Sequence, residues 1–286
     1  MDQAYDNDYD DEVIINMANR CNQNNNSIKK KRLSKREKKR LRRKRILLKI
    51  FRIFLILGLF IALAVFAFVS PIFNISTIEV ENNNQLTSDT IISLSGLKEG
   101  QNIFKFWSKN VENKIKENPY IEEVNVKRKL PNKVEIKVEE RNKDFNVEYL
   151  NGYAYINRQG YILEISSTKQ DLITIKGIIT PVETLVAGNR LNNEDLKKLE
   201  TVIQIVDICK NYDLDKKITY IDITNENEYL MYLEQEQKLI HIGDSSNISD
   251  KILYVQAIVE SNKGKKGEIY VNGNINNGFK PRFKEN

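Results

Sequence analysis

Histidine is nearly absent from this chain: His241 is the only one in 286 residues, beside two cysteines, one tryptophan and five prolines. Each scarcity closes off chemistry. A catalytic zinc takes two or three imidazoles, or thiolates in their place, and this inventory does not supply such a set. A Ser-His-Asp triad would have to recruit His241, and no Gly-x-Ser-x-Gly elbow occurs. Gly264-Lys265-Lys266-Gly267 lacks the spacing and flanks of a phosphate loop and reads as a solvated turn. The adjacent carboxylates Glu122-Glu123 and Glu139-Glu140 point to opposite faces of a strand and cannot share a substrate. No catalytic residue, metal or cofactor is therefore expected. His241, inside the alternating run 239–242, reads as a hydrogen-bonded structural histidine.

Long apolar runs are scarce too, and the one present decides the class of protein. Residues 53–69 carry no charge, and residues 46–50 extend the run if Lys49 and Arg52 bend their stems toward the headgroups. A charge at mid-bilayer costs roughly 2.5–3.5 kcal/mol on insertion scales. Both residues lie near the basic end, where snorkelling removes most of that cost. A buried helix of a soluble domain would need a polar face, and this segment has none. A cleaved signal peptide is the other reading, with Ala62-Leu63-Ala64 as its cut site. Signal peptides have short leaders, however, whereas about fifty residues precede this core and residues 65–69 continue it past the cut.

Residues 1–69 hold sixteen Lys/Arg and seven Asp/Glu (+9), and residues 70–286 hold twenty-nine and thirty-two (−3). Basic flanks stay in the cytoplasm. The expectation is a single-pass protein of the cell membrane, N-terminus cytoplasmic and C-terminal portion outside. Cys21 and Cys209 then lie on opposite sides and cannot pair within one chain. Cys209 falls in an amphipathic helix and reads as a small core hydrophobe.

The tail is acidic over residues 2–12, Asn-rich over 22–26 and basic over 29–45, with almost no apolar periodicity, so residues 1–45 are expected to be disordered. The basic run lacks the interleaved aromatics and folded reading element of a nucleic-acid binder. It reads as a topology signal attracted to anionic headgroups of the lipid bilayer, on the order of 1 kcal/mol per basic residue.

Beyond the span the punctuation suggests two units. In the first, residues 75–80 alternate as a strand, and Thr87-Ser88-Asp89 offers capping oxygens to a helix that stops at Gly96. A second helix covers residues 108–116 and ends at Asn118-Pro119. Strands follow at 121–129 and 134–138. In the second unit, strands at 145–149, 153–156 and 161–165 are separated by turns at Asn151-Gly152 and Gln159-Gly160. Asn192 or Asn193 caps a helix carrying Leu196, Leu199, Ile203 and Val206 on one face. Strands at 218–223, 229–233 and 239–242 lead to a helix near 249–260 and a short strand at 268–272. The last fourteen residues read as a loose tail.

These residues carry a resemblance. Phe73-Asn74-Ile75 with Ile78 and Val80, Leu86-Thr87 and Ile91, and Gly100 with Asn102-Ile103-Phe104 form its first part. Asn118-Pro119-Tyr120-Ile121, Val126-Lys127-Arg128-Lys129-Leu130-Pro131, Val134-Glu135-Ile136 and Glu140-Arg141 complete it. Together they resemble the POTRA domain of the FtsQ/DivIB family of bacterial cell-division proteins. Asn157-Arg158-Gln159-Gly160-Tyr161 is similar to that family's D-x-x-G hairpin, with Asn157 where Asp is usual. Lys143 stands where Pro often follows the Glu-Arg pair.

The fold class expected is α+β: a disordered basic tail (1–45), one transmembrane helix (46–70), a POTRA domain of strand-helix-helix-strand-strand order (71–142), a mixed β-rich domain with two helices (143–272) and a C-terminal tail (273–286). A terminal strand made of Glu268, Ile269, Tyr270, Val271 and Asn272 either completes the fold's own sheet or accepts another chain by β-augmentation, with Tyr270 as anchor. The resemblance implies the second. It implies binding of FtsB/DivIC-like and FtsL-like coiled-coil partners outside the membrane, a link to the septal peptidoglycan synthase complex, and residence at the division septum. POTRA modules also occur in assembly and secretion proteins, so a membrane-anchored chaperone or secretion adaptor is the other reading.

Overall fold

The structure is a computed structural model describing residues 35–286 apart from Asn151 and residues 274–277; the acidic and Asn-rich stretches of the expected tail lie outside the described residues. It comprises a first unit ending at Phe66 and a second beginning at Ala67.

The described part of the first unit is helix α1, Lys35–Val69, whose last three residues, 67–69, belong to the second unit. It begins well before residue 46, so residues 35–45, expected to be disordered, are helical. The physical reason is local: Lys, Arg and Leu are good helix formers, no Gly or Pro interrupts them, and the apolar segment supplies the nucleus from which the basic run propagates. Among the described residues, Arg42–Val69 is the one helix long and apolar enough to cross a membrane, with a stretch of mean hydropathy 2.7 and no side chain buried. At 1.5 Å per residue its 28 residues reach about 42 Å.

The second unit holds two sheets. The smaller is built from β1 (Thr77–Glu81), β2 (Ile121–Lys129) and β3 (Lys133–Glu140) in the order β1-β3-β2, with β1 parallel and β2 antiparallel to the central β3. Helices α2 (Ser88–Ser95) and α3 (Ser108–Lys116) connect β1 to β2, giving the expected strand-helix-helix-strand-strand order. Thr87 caps α2 by accepting the Thr90 N–H, and Gly96 ends it in the left-handed region at φ 68°. Val111 and Ile115, four apart on α3, join Ile91, Val124, Val126, Val134, Ile136 and Val138 in one core.

The larger sheet has nine strands in the order β12-β11-β10-β9-β8-β7-β4-β5-β6. These are β4 (Phe145–Tyr149), β5 (Gly152–Ile156), β6 (Ile162–Ser166), β7 (Ile173–Lys176), β8 (Ile218–Asp222), β9 (Tyr229–Leu233), β10 (Lys238–Gly243), β11 (Gly267–Tyr270) and β12 (Arg282–Glu285). Helices α4 (Asn193–Lys210) and α5 (Ile248–Ser261) contribute Leu199, Val202, Ile205, Val206 and Cys209, and Ile252, Val255 and Val259, to its core. Burial pushes the Cys209 thiol up to about 12, as befits a packing residue. Strand β7, absent from the expected elements, pairs in parallel with both β4 and β8. It is only four residues long, too short for alternation to stand out.

At the hairpin after β5, Asn157 does the work of the usual Asp: its Oδ1 accepts the N–H groups of Gln159 at 3.1 Å and Tyr161 at 2.8 Å. Gly160 sits at φ 78°, where a Cβ would fall 2.4 Å from the Leu196 side chain.

The Glu140-Arg141 pair stands where the chain leaves the small sheet for the large one, and of the two it is Arg141 that touches both. The Glu140 carboxylate accepts three backbone N–H groups, from Asn84 (3.0 Å), Gln85 (2.6 Å) and Leu86 (3.2 Å). Arg141 donates to the carbonyls of Pro119 and Ile121 and lies 4.3 Å over the Tyr161 ring. Lys143, where the family often has Pro, pairs with Glu164 at 2.7 Å, and the Tyr120 hydroxyl donates to the same carboxylate at 2.6 Å. These two donors, Lys143 first, hold the Glu164 carboxyl below its ordinary range.

Candidate partner-binding edge

Strands β10, β11 and β12 form one end of the large sheet, and their register stacks three side chains on one face. His241 stands opposite Tyr270 across the parallel β10–β11 ladder, and Tyr270 opposite Arg282 across the antiparallel β11–β12 ladder. The imidazole and phenol rings lie 4.4 Å apart and nearly parallel at 9°. The Arg282 guanidinium sits 4.9 Å over the other side of the phenol. Carboxylates flank this stack. Glu228 lies 3.2 Å from His241 Nδ1 and accepts Asn272 Nδ2 at 3.1 Å. Glu268, two residues from Tyr270 and so on the same face, accepts the Tyr270 hydroxyl and lies 3.6 Å from His241 Nε2. The hydroxyl bond lowers the Glu268 carboxyl and, with partial burial, raises the Tyr270 phenol.

The five residues expected to form the docking strand thus divide. Glu268 and Tyr270 belong to the stacked face, whereas Ile269 and Val271 are fully buried in the core. Asn272 lies past the end of β11 and reaches back to Glu228. Two corrections follow. Residues 268–272 are not the sheet edge, because β12 covers β11; and the tail expected to be loose contains β12. Arg-Phe-Lys-Glu alternates, so Phe283 faces inward against the core while Arg282 and Lys284 take the face of Tyr270 and Glu268. That alternation was the available signal, muted by its brevity and its closeness to the end of the sequence. Gly267 permits the approach: a Cβ there would lie 2.1 Å from the Lys284 carbonyl oxygen. Lys265 and Glu285 add an exposed ion pair at 2.9 Å.

The phase of the last ladder identifies the groups left open. Asn286 donates to the Lys266 carbonyl at 3.2 Å, so the register makes Glu268/Lys284 and Tyr270/Arg282 the hydrogen-bonded pairs. The N–H and C=O groups of Phe283 and Glu285 therefore point away from β11, at the end of the strand order among the described residues.

Comparisons with known proteins agree with this architecture. Residues 73–141 match the POTRA domain, FtsQ-type. This defines a class: proteins with an FtsQ-type POTRA module, here following a helix fit to cross a membrane. The chain is 33% identical over 208 residues to the cell division protein DivIB of Clostridium acetobutylicum, covering 70% of this chain and 80% of that one. It is 30% identical over 219 residues to DivIB of Clostridium tetani, covering 73% and 79%. Its match to the cell division protein FtsQ of Syntrophotalea carbinolica is 28% over 165 residues, 56% of this chain and 57% of that one. The chain belongs to the DivIB/FtsQ family of cell-division proteins.

Proposed function

We propose that this protein is a single-pass scaffold of the bacterial division machinery that acts by binding. Its basic N-terminal tail is cytoplasmic and its two sheets are extracytoplasmic, in accord with the charge bias across the span. It holds FtsB/DivIC-like and FtsL-like coiled-coil proteins and couples them to septal peptidoglycan synthesis. The observation that carries the reading is the open edge of β12. Four outward backbone groups, two on Phe283 and two on Glu285, would contribute roughly 2–6 kcal/mol to an added strand before ordering costs. Register would come from the Arg282 and Lys284 side chains, with the Tyr270–His241 stack and Glu268 as the row behind them. The docking strand of the sequence reading thereby becomes the support of the edge.

The test is a photo-crosslinking amino acid at Lys284 of the full-length chain in living cells, with the adducts identified by mass spectrometry. Small bitopic coiled-coil proteins in the adducts support the scaffold and its edge. Adducts with an exporter or a wall polymer alone overturn it in favour of an adaptor.

A further inference from the structure

Among residues 70–142, the large apolar side chains left exposed are Ile72, Trp107 and Leu130, at 59%, 78% and 60%. They come from three separate stretches of chain, yet hydrogen bonds bring those stretches to one end of the small domain. Ile72 lies in the short turn Pro71–Phe73, whose last carbonyl accepts the Ile103 N–H at 2.8 Å. Asn74 bridges to Asn102 in the same loop, which runs on to Trp107. Arg128, two residues before Leu130, donates to the carbonyls of Ile103 and Phe106 and stacks 4.7 Å over the Phe106 ring. Past Leu130, the Asn132 carbonyl accepts the Ser76 N–H at 2.8 Å.

The same loop also holds the last turn of the membrane-crossing helix. Asn102 Nδ2 donates to the Ala67 carbonyl at 2.9 Å, one of the terminal carbonyls that have no partner within a helix. The Phe104 ring packs 6.0 Å from Phe68 and 5.2 Å from Phe73. The depth of this turn follows from length. A hydrocarbon core needs about 20 residues of helix, and residues 53–69 supply 17 without charge. This uncharged run is shorter than the core, so all of it is immersed and the extra length comes from the snorkelling residues on the basic side. Val69, its last residue, then lies at the outer boundary, and the loop bonded to Ala67 lies at headgroup level. Tryptophan favours that level because its ring is apolar and its N–H is polar.

We propose that Ile72, Trp107 and Leu130 form a foot that seats the extracytoplasmic domain on the lipid surface, with the Trp107 indole among the headgroups. The occupant is phospholipid, by continuity with the span, and the inference rests on Arg42–Val69 being that span.

Trp107 is the sole tryptophan of the chain, so its fluorescence reports the contact without labelling. The full-length protein is placed in nanodiscs of phosphatidylcholine, either plain or brominated near the top of the acyl chains. The expected result is blue-shifted emission whose intensity falls about twofold or more in brominated lipid, as for an interfacial indole. The double variant Ile72→Asp, Leu130→Asp should reduce that quenching and shift the emission back to the red. Equal intensity in both lipids with full access to acrylamide overturns the proposal. So does shielding from both quenchers, which would mean that protein covers the ring. A chain that does not co-elute with nanodiscs refutes the span itself, and the foot with it.

Discussion

A proline can separate docking at β12 from the integrity of β12, because successive residues there send their N–H groups in opposite directions. In Glu285→Pro the lost N–H points outward and no ladder bond to β11 is broken. The Lys265 ion pair is lost as well, but its side chains are 52% and 55% exposed, and pairs of that kind contribute about 0–1 kcal/mol. Folding stability should therefore change by less than about 1 kcal/mol. Binding of an added strand loses one of four backbone groups, a net of about 0.5–1.5 kcal/mol, or about two- to twelvefold in Kd, and the ring obstructs approach as well. In Lys284→Pro the lost N–H is the donor to β11, so unfolding should shift too, by about 1 kcal/mol. The assay titrates nanodisc-held full-length protein with a labelled coiled-coil partner, alongside urea unfolding of the same samples. Undiminished affinity in Glu285→Pro would refute β12 as the docking edge. Matched losses of stability in both variants would refute the assigned ladder phase.

Three further outcomes test the framework beneath that edge. Asp195 is fully buried and accepts the N–H groups of Ile179 (3.0 Å) and Thr180 (2.6 Å) and the Thr180 hydroxyl (2.5 Å). Asp195→Ala should cost about 3–5 kcal/mol by stranding those donors, and a loss below about 1 kcal/mol by denaturant midpoint would contradict this. Gly160→Ala combines a left-handed backbone with overlap on Leu196 and should cost about 1–3 kcal/mol in the same measurement; an unchanged midpoint would mean that the turn can relax. The Ser246 hydroxyl and the Lys251 ammonium hold the Asp244 carboxyl at about 2, against an ordinary 3.8. A folded-state value below the unfolded one gives stability that is complete above the ordinary value and lost as pH falls toward 2. Wild type should exceed Asp244→Asn by a constant margin at neutral pH and converge with it in acid, and parallel curves down to pH 2 would count against the assignment.

The elements legible in the sequence were those with strong local signals. The bounds of β2, α3, β4 and β9 agree with the sequence reading because alternation, helix caps and turn residues all favour one answer there. Strands β7 and β12 escaped because four residues carry too little periodicity, and both are fixed by long-range pairing, β7 between β4 and β8 and β12 on β11. The helical start at Lys35 escaped because charge composition favoured disorder, while intrinsic propensity and an adjacent apolar nucleus favoured helix. The docking region was legible in outline only. Tyr270 could be picked as an aromatic anchor, but its place between His241 and Arg282 depends on two registers that no local pattern encodes.

The nine-stranded order also acts as a ruler. Strand β6, which carries Glu164 beside Tyr120 and Lys143, is one end of the sheet, and β12 is the other. Eight inter-strand steps separate them, and at about 4.8 Å each they give a path of about 38 Å measured along the twisted sheet. That path comes in fixed increments, since its length changes only by gain or loss of a whole strand. A protein held at β12 and one held near the joint between the sheets would therefore be kept apart by a continuous hydrogen-bonded span, free to be occupied together.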